Sequence, residues 1–143
     1  MMKIRKGKEA DFGQLLEIWE RSVSATHDFL SSDDVASIKK DVEKYFSAVD
    51  LSLCDDGKTL GFIGVNNKKI EMLFVEPSCF GRGVGRFLIE HAMLDKNIEE
   101  VDVNEQNPKA LGFYDYMGFR VVGRSEFDSE GRPFPILHLR LVT

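Results

Sequence analysis

Cysteine is scarce in this 143-residue chain, as are proline, histidine and tryptophan, with two, four, three and one of each. Cys54 and Cys79 make neither a disulfide framework nor a metal-ligand spacing, so both are expected to remain thiols in a reducing compartment. The histidines, His27, His91 and His138, are scattered, with no cysteine or carboxylate at ligand spacing, and no metal is expected. No apolar run approaches the length of a membrane span, which argues against a membrane partner. The opening "MMKIRKGKEADF" is charged and lacks the apolar core of a signal peptide, so a soluble, cytoplasmic protein is expected. Basic excess is missing too: Lys and Arg number 19 against 24 Asp and Glu, a net charge of -5. That balance argues against a general nucleic-acid binder, whose footprint is a basic face. Repeats, low-complexity tracts and interdomain linkers are absent. What remains is an ordinary apolar content, enough for one domain over residues 1–143 with a real core.

Periodicity orders that domain. "KIRK" reads as a short strand around Ile4, and Phe12, Leu15, Ile18, Trp19 and Val23 then form a helical stripe. The polar stretch "SATHDFLSSDD" follows, and Ser32 is read as the N-cap of a second helix faced by Val35, Ile38, Val42, Tyr45 and Phe46. "LSLCDD", "TLGFIGV" and "KIEMLFVE" are strand-like runs separated by the hairpin signals "DDGK" and "NNKK". Val84, Phe87, Leu88, His91 and Ala92 space a third helix. "EVDVNEQN" is a strand, "NPKALGFYDYMG" a short helix closed by Gly118, and two strands flank the turn "DSEGRPFP". The order is β-α-α-β-β-β-α-β-α-β-β. It describes an α/β domain of the α+β type with a mostly antiparallel sheet.

Between the third strand of the meander and the third helix lies "FGRGVGR". Three glycines in five residues cost backbone entropy, so the chain turns tightly there or something approaches its backbone. A strand, a glycine loop and a helix together present free amide groups and the positive helix end to an anion, and a pyrophosphate is the natural guest. Arg82 and Arg86 supply local positive charge. The GxxxxGK[ST] loop does not fit, and GxGxxG requires glycine where Arg86 stands. A bare tight turn is the competing reading of this loop taken alone.

A second cluster, "NEQNPKALGFYDYMGF", begins a helix at Asn107 and carries Tyr114 seven residues on, on the same helix face. With both clusters in place, the chain resembles a GNAT-family acetyltransferase. The family's loop, [QR]xxGx[GA], matches Phe80-Gly81-Arg82-Gly83-Val84-Gly85, with Phe80 where Gln or Arg is usual. Its NxxAxxFYxxxGF segment matches Asn107 to Phe119. The resemblance covers essentially the whole chain, and "SVSATHDFL", "VNEQN" and "GRPFPIL" resemble the bacterial YjaB-type subgroup.

The resemblance implies a mixed sheet with helices on both faces and acetyl-CoA as co-substrate. It also implies direct attack by an amine acceptor in a ternary complex. A bulge should splay "KIEMLFVE" from its neighbour, with Leu73, Phe74 and Val75 lining the pantetheine arm and a backbone amide serving the oxyanion. Phe80 through Arg86 would hold the pyrophosphate. Asn107 would bond the pantetheine or cap its helix. Tyr114 is the expected general acid, since a phenol is neutral at pH 7 and can donate; Tyr116 is the fallback. Glu71 and His27 are candidate bases, with His27 also placed to shape the acceptor pocket, and Glu105 is a third candidate. His91 and His138 show no partner signal. A CoA-binding sensor without turnover and a transferase of longer acyl groups are the alternatives, and a nucleotide-binding protein is a more distant one. The acceptor is left open, as is the choice between monomer and homodimer.

Overall fold

The computed structural model describes residues 1–142. Its strands are β1 (Lys3–Lys6), β2 (Asp50–Asp55), β3 (Thr59–Asn66), β4 (Lys69–Val75), β5 (Glu100–Asn104), β6 (Phe119–Ser125) and β7 (Ile136–Leu141). Its α-helices are α1 (Phe12–Thr26), α2 (Ser32–Tyr45), α3 (Val84–Asp95) and α4 (Pro108–Tyr116). The element order expected from periodicity is the one observed. The seven strands form one sheet in the order β1-β2-β3-β4-β5-β7-β6.

Helices cover both faces because the central strands are apolar on both. On β3, Phe62 packs with Leu15, Ile18 and Trp19 of α1, while Ile63 packs with Leu88 and Ile89 of α3 on the other side. Every residue of β3 but the last is buried, the pattern of a strand sandwiched between layers. The turn between β3 and β4 puts both Asn67 and Lys68 at positive φ, the geometry a two-residue hairpin needs.

Three local expectations are corrected. The N-cap of α2 is Ser31, not Ser32: its hydroxyl accepts from Asp34 N–H at 3.1 Å, and Asp34 Oδ2 accepts in return from Ser31 N–H at 3.0 Å. Tyr45 leaves the apolar face: it is half-exposed at the end of α2 and its hydroxyl donates to the Glu130 carboxylate, while Phe46, four residues on from buried Val42, enters the core. On α3 the buried positions are Val84, Leu88, Ile89 and Ala92, so Ile89 takes the place given to His91.

The feature that positions the site is the junction of β4 and β5. These two strands are parallel, and they pair only at Lys69–Glu100 and Ile70–Val101. Beyond that they separate. On the other edge of β4 the register with β3 shifts between Gly64 and Val65, which face Met72 and Ile70, so Glu71 is the extra, bulged residue. A bulge bends its strand and increases its twist, which carries Leu73, Phe74 and Val75 away from β5.

Candidate active site

Two cavities open on the separated strands. The larger, about 420 Å³, is walled by Leu73, Phe74 and Val75 of β4, by Phe80, Gly81, Val84 and Gly85 of the glycine loop, and by residues of α1 and α4. The smaller, about 200 Å³, takes in Glu71, Asp102 and Asn104. His27, Leu73, Phe74, Asn107, Ala110 and Tyr114 border both, so the two cavities meet at these six side chains. All of them except Ala110, the alanine of the NxxAxxFYxxxGF segment, are site residues expected from the sequence.

The loop that closes the larger cavity is built by its glycines. Gly81 and Gly83 have φ of 78° and 82°, a region most side chains avoid, and a Cβ on either would meet no heavy atom within 4 Å. Both therefore turn the chain toward open space. Gly85 serves differently: its φ is ordinary and a Cβ there would come within 3.4 Å of the Phe113 ring. The first amide of α3 to bond back is Phe87 N–H, to Gly83 O at 2.9 Å. The amides of α3 before it are left without a bond inside the helix, an arrangement able to receive an anion. Phe80 is 44% exposed on the cavity rim. The two arginines do not gather at the cavity wall: Arg86 pairs with Glu90 at 3.3 Å, and Arg82 Nη1 lies 3.8 Å from Cys79 Sγ.

Tyr114 is buried in the wall that the two cavities share. It is 7% exposed, its ring is edge-on to Phe113 and Phe119, and burial alone pushes its phenol pKa up, so the hydroxyl keeps its proton. Tyr116 is 72% exposed and lines neither cavity.

His27 is fixed by a network that spans the chain. Thr26 Oγ1 donates to Ser22 O at 2.8 Å, which uses its one proton, so at 2.7 Å it accepts from His27 Nδ1–H. Asn107 Oδ1 caps α4 by accepting from Ala110 N–H at 3.2 Å, which turns Nδ2 toward His27 Nε2 at 3.4 Å. These bonds assign a neutral Nδ1–H tautomer with its lone pair on Nε2, at the border of the cavities. Burial lowers the His27 pKa below its usual 6.5, opposed in part by Asp28. A depressed folded-state pKa means the unfolded chain takes up the proton first. The stability held above 6.5 is then lost as pH falls through the folded value. Melting temperature should drop on going from about pH 7.5 to about pH 5.5, and His27→Gln should show a smaller drop, readable by calorimetry at the two pH values.

Glu71 opens to solvent, yet desolvation by the surrounding protein raises its pKa; Lys69 opposes that shift and Asp102 adds to it. Glu105 is engaged elsewhere: Arg124 bonds it at 2.6 and 3.1 Å and holds its carboxyl below the usual range, which makes it a poor base. His138, expected to lack a partner, has two. Its Nδ1 lies 2.7 Å from Asp102 Oδ1 and its Nε2 2.7 Å from Ser125 Oγ. Sequence reasoning also missed Ser22, Thr26 and Lys109 on the wall of the larger cavity.

The sequence profile of the acetyltransferase (GNAT) domain family matches residues 21–139. The chain belongs to the GNAT acetyltransferase family. It is 39% identical over 141 residues to the peptidyl-lysine N-acetyltransferase YjaB of Salmonella typhimurium strain LT2, covering 97% of each chain. The solution structure of apo YjaB from Escherichia coli superposes with a TM-score of 0.90 at 38% identity, covering 99% of this chain and 98% of that one. The PaiA N-acetyltransferase of Thermoplasma acidophilum, solved with coenzyme A, shares the fold at a TM-score of 0.71 and 22% identity, covering 96% and 98% of the chains. As a GNAT enzyme the chain is an acyltransferase. Among the described residues no group of three or more His, Cys, Asp or Glu is placed to hold a metal ion, and no helix is long and apolar enough to cross a membrane.

Proposed function

We propose that the chain is a single N-acetyltransferase domain over residues 1–143. It moves the acetyl group of acetyl-CoA to the ε-amine of a lysine in a protein. The meeting of two cavities at Tyr114, His27 and Asn107 carries this reading, because a donor in one and an amine in the other would be brought face to face. The lysine acceptor rests on the likeness to YjaB, named a peptidyl-lysine N-acetyltransferase. Acetyl-CoA fits the larger cavity: the helix-end amides and the open side of Gly81 and Gly83 suit the pyrophosphate, and Leu73, Phe74 and Val75 offer a free strand edge to the pantetheine arm. Lys109, exposed at the rim, adds a cation that Arg86, paired to Glu90, supplies less freely.

In this scheme the acceptor attacks the thioester directly, and Tyr114 protonates the departing sulfur. Glu71 takes the ammonium proton, directly or through water, from its place on the bulge. A carboxyl whose pKa is raised toward neutrality is the better base. A second reading gives that task to His27, whose Nε2 lone pair meets only a long, 3.4 Å contact from Asn107 Nδ2 that an acceptor amine could displace. One experiment separates them. Glu71→Gln should lower kcat/KM on a lysine peptide by roughly tenfold to a hundredfold and remove the acid limb of its pH profile. If His27→Gln does this instead, the role passes to His27. Direct attack itself requires intersecting lines when initial velocity is measured against both substrates. We place the enzyme in the cytoplasm, as a monomer or a homodimer. Val121 and Val122, exposed on the edge strand β6, support the dimer, which sedimentation would detect.

A further inference from the structure

The segment between β6 and β7 is unusually well tied. Asp128 Oδ1 accepts from Glu130 N–H at 3.0 Å and Arg132 N–H at 2.8 Å, folding the segment on itself. Arg132 then reaches across to α2. Its Nη2 bonds Asp41 Oδ2 at 2.6 Å and Ser37 Oγ at 2.9 Å, while Nη1 stays within 3.4 Å of Asp128 Oδ2. Both partners of the Arg132–Asp41 pair are about four-fifths buried at the side chain (20% and 21% exposed), so solvent screens them less than a surface pair. The segment leaves at Pro135, whose carbonyl accepts from Glu105 N–H at 3.0 Å beyond β5. Fixed at both ends, it holds Phe134 against Phe29, ring centres 5.8 Å apart; Phe29 in turn lies 5.3 Å from the His27 ring.

We infer that Arg132 is a positioning residue for the acceptor, holding Phe134 and Phe29 as a preformed aromatic strip that selects an unbranched alkylamine. This deepens the lysine reading above and rests on it. The strip runs from the β6–β7 segment to His27 at the border of both cavities. An apolar strip leading to a polar end suits four methylenes carrying an amine. An α-amine sits directly on the peptide backbone and has no methylene chain to lay along the same rings. Because the clamp is made within the protein, the strip is ordered before the acceptor arrives, and its ordering cost does not fall on binding.

The test is steady-state kinetics with an N-terminally blocked lysine peptide and a lysine-free peptide with a free N-terminus. Arg132→Gln and Phe134→Ala should each raise KM for the lysine peptide roughly tenfold, with KM for acetyl-CoA unchanged and selectivity over the α-amine reduced. Arg132→Lys, able to reach Asp41 but lacking the fork, should recover part of the loss. A role in folding alone would instead move both KM values and the melting temperature together. Unchanged KM for the lysine peptide in both variants overturns the inference. If the wild type acetylates only the α-amine, the lysine reading falls and the aromatic strip's selectivity falls with it. If the wild type turns over neither peptide, the lysine peptide is titrated into CoA-saturated protein by NMR, and equal affinity for wild type and Phe134→Ala overturns the inference.

Discussion

Tyr114→Phe will lower kcat on a lysine peptide by about a hundredfold or more while the dissociation constant of acetyl-CoA stays within about twofold. The substitution removes one hydroxyl and keeps the ring, which packs 5.4 Å from Phe113 and 5.6 Å from Phe119. Among the described residues no group hydrogen-bonds the phenol and burial is the one cause of its shift, so the fold should keep its melting temperature. The effect is expected on turnover because a thiolate leaving into a buried site needs a proton that solvent supplies poorly there. Rapid-quench measurement of the chemical step, beside calorimetric titration with acetyl-CoA, checks both halves. Unchanged turnover would remove Tyr114 from the acid role. Tyr116 would inherit nothing from that result, since it points to solvent on another face of α4.

Gly83→Val should have the opposite signature, with acetyl-CoA binding lost by a factor of about a hundred or more and binding of an acetyl-lysine peptide little changed. Two causes act together. A β-branched residue at φ of 82° is strained by about 1–3 kcal/mol, so the turn into α3 distorts. Its side chain would also project into the open space where an anion would approach the helix amides. Gly83→Asn separates the causes, because asparagine tolerates the left-handed region while still filling that space. Strong loss with asparagine assigns the effect to the ligand's approach, and near-normal binding assigns it to backbone strain. Gly85→Ala is the contrasting control: there the added methyl meets the Phe113 ring, so a loss of stability is expected rather than a specific loss of affinity.

Local signals carried the fold and half of the site. The meander, the glycine turn and the helix opened by Asn107 each rest on residues a few positions apart, where periodicity and turn chemistry act. The misplaced cap shows what a finer reading could have recovered. Ser31 has an acidic residue three positions on, Asp34, as the reciprocal capping pattern requires, whereas Ser32 has Val35 there. The loss of Tyr45 from its apolar face was not recoverable, because the partner of its hydroxyl, Glu130, lies 85 positions away. The other half of the site is long-range. His27 and Asn107 are 80 positions apart, and Arg132 and Asp41 are 91 apart. Single polar residues at such separations carry no periodicity, and only the folded sheet makes them neighbours. His138 is the same case: its aspartate and serine come from two other strands.

The brief pairing of β4 with β5 also makes the enzyme's cohesion a matter of supply. The β1–β4 half and the β5–β7 half of the sheet are zipped together over two residue pairs, helped by helix packing and by cross-links such as Lys69–Asp102 and Arg132–Asp41. A reagent that inserts between the strands and pairs with the free edge of β4 bridges this seam from outside. Its grip on the native state, and not on the unfolded chain, adds about 2.7 kcal/mol at a hundred times its dissociation constant. Abundance of the folded enzyme in a cell would then follow the acetyl-CoA and CoA pool.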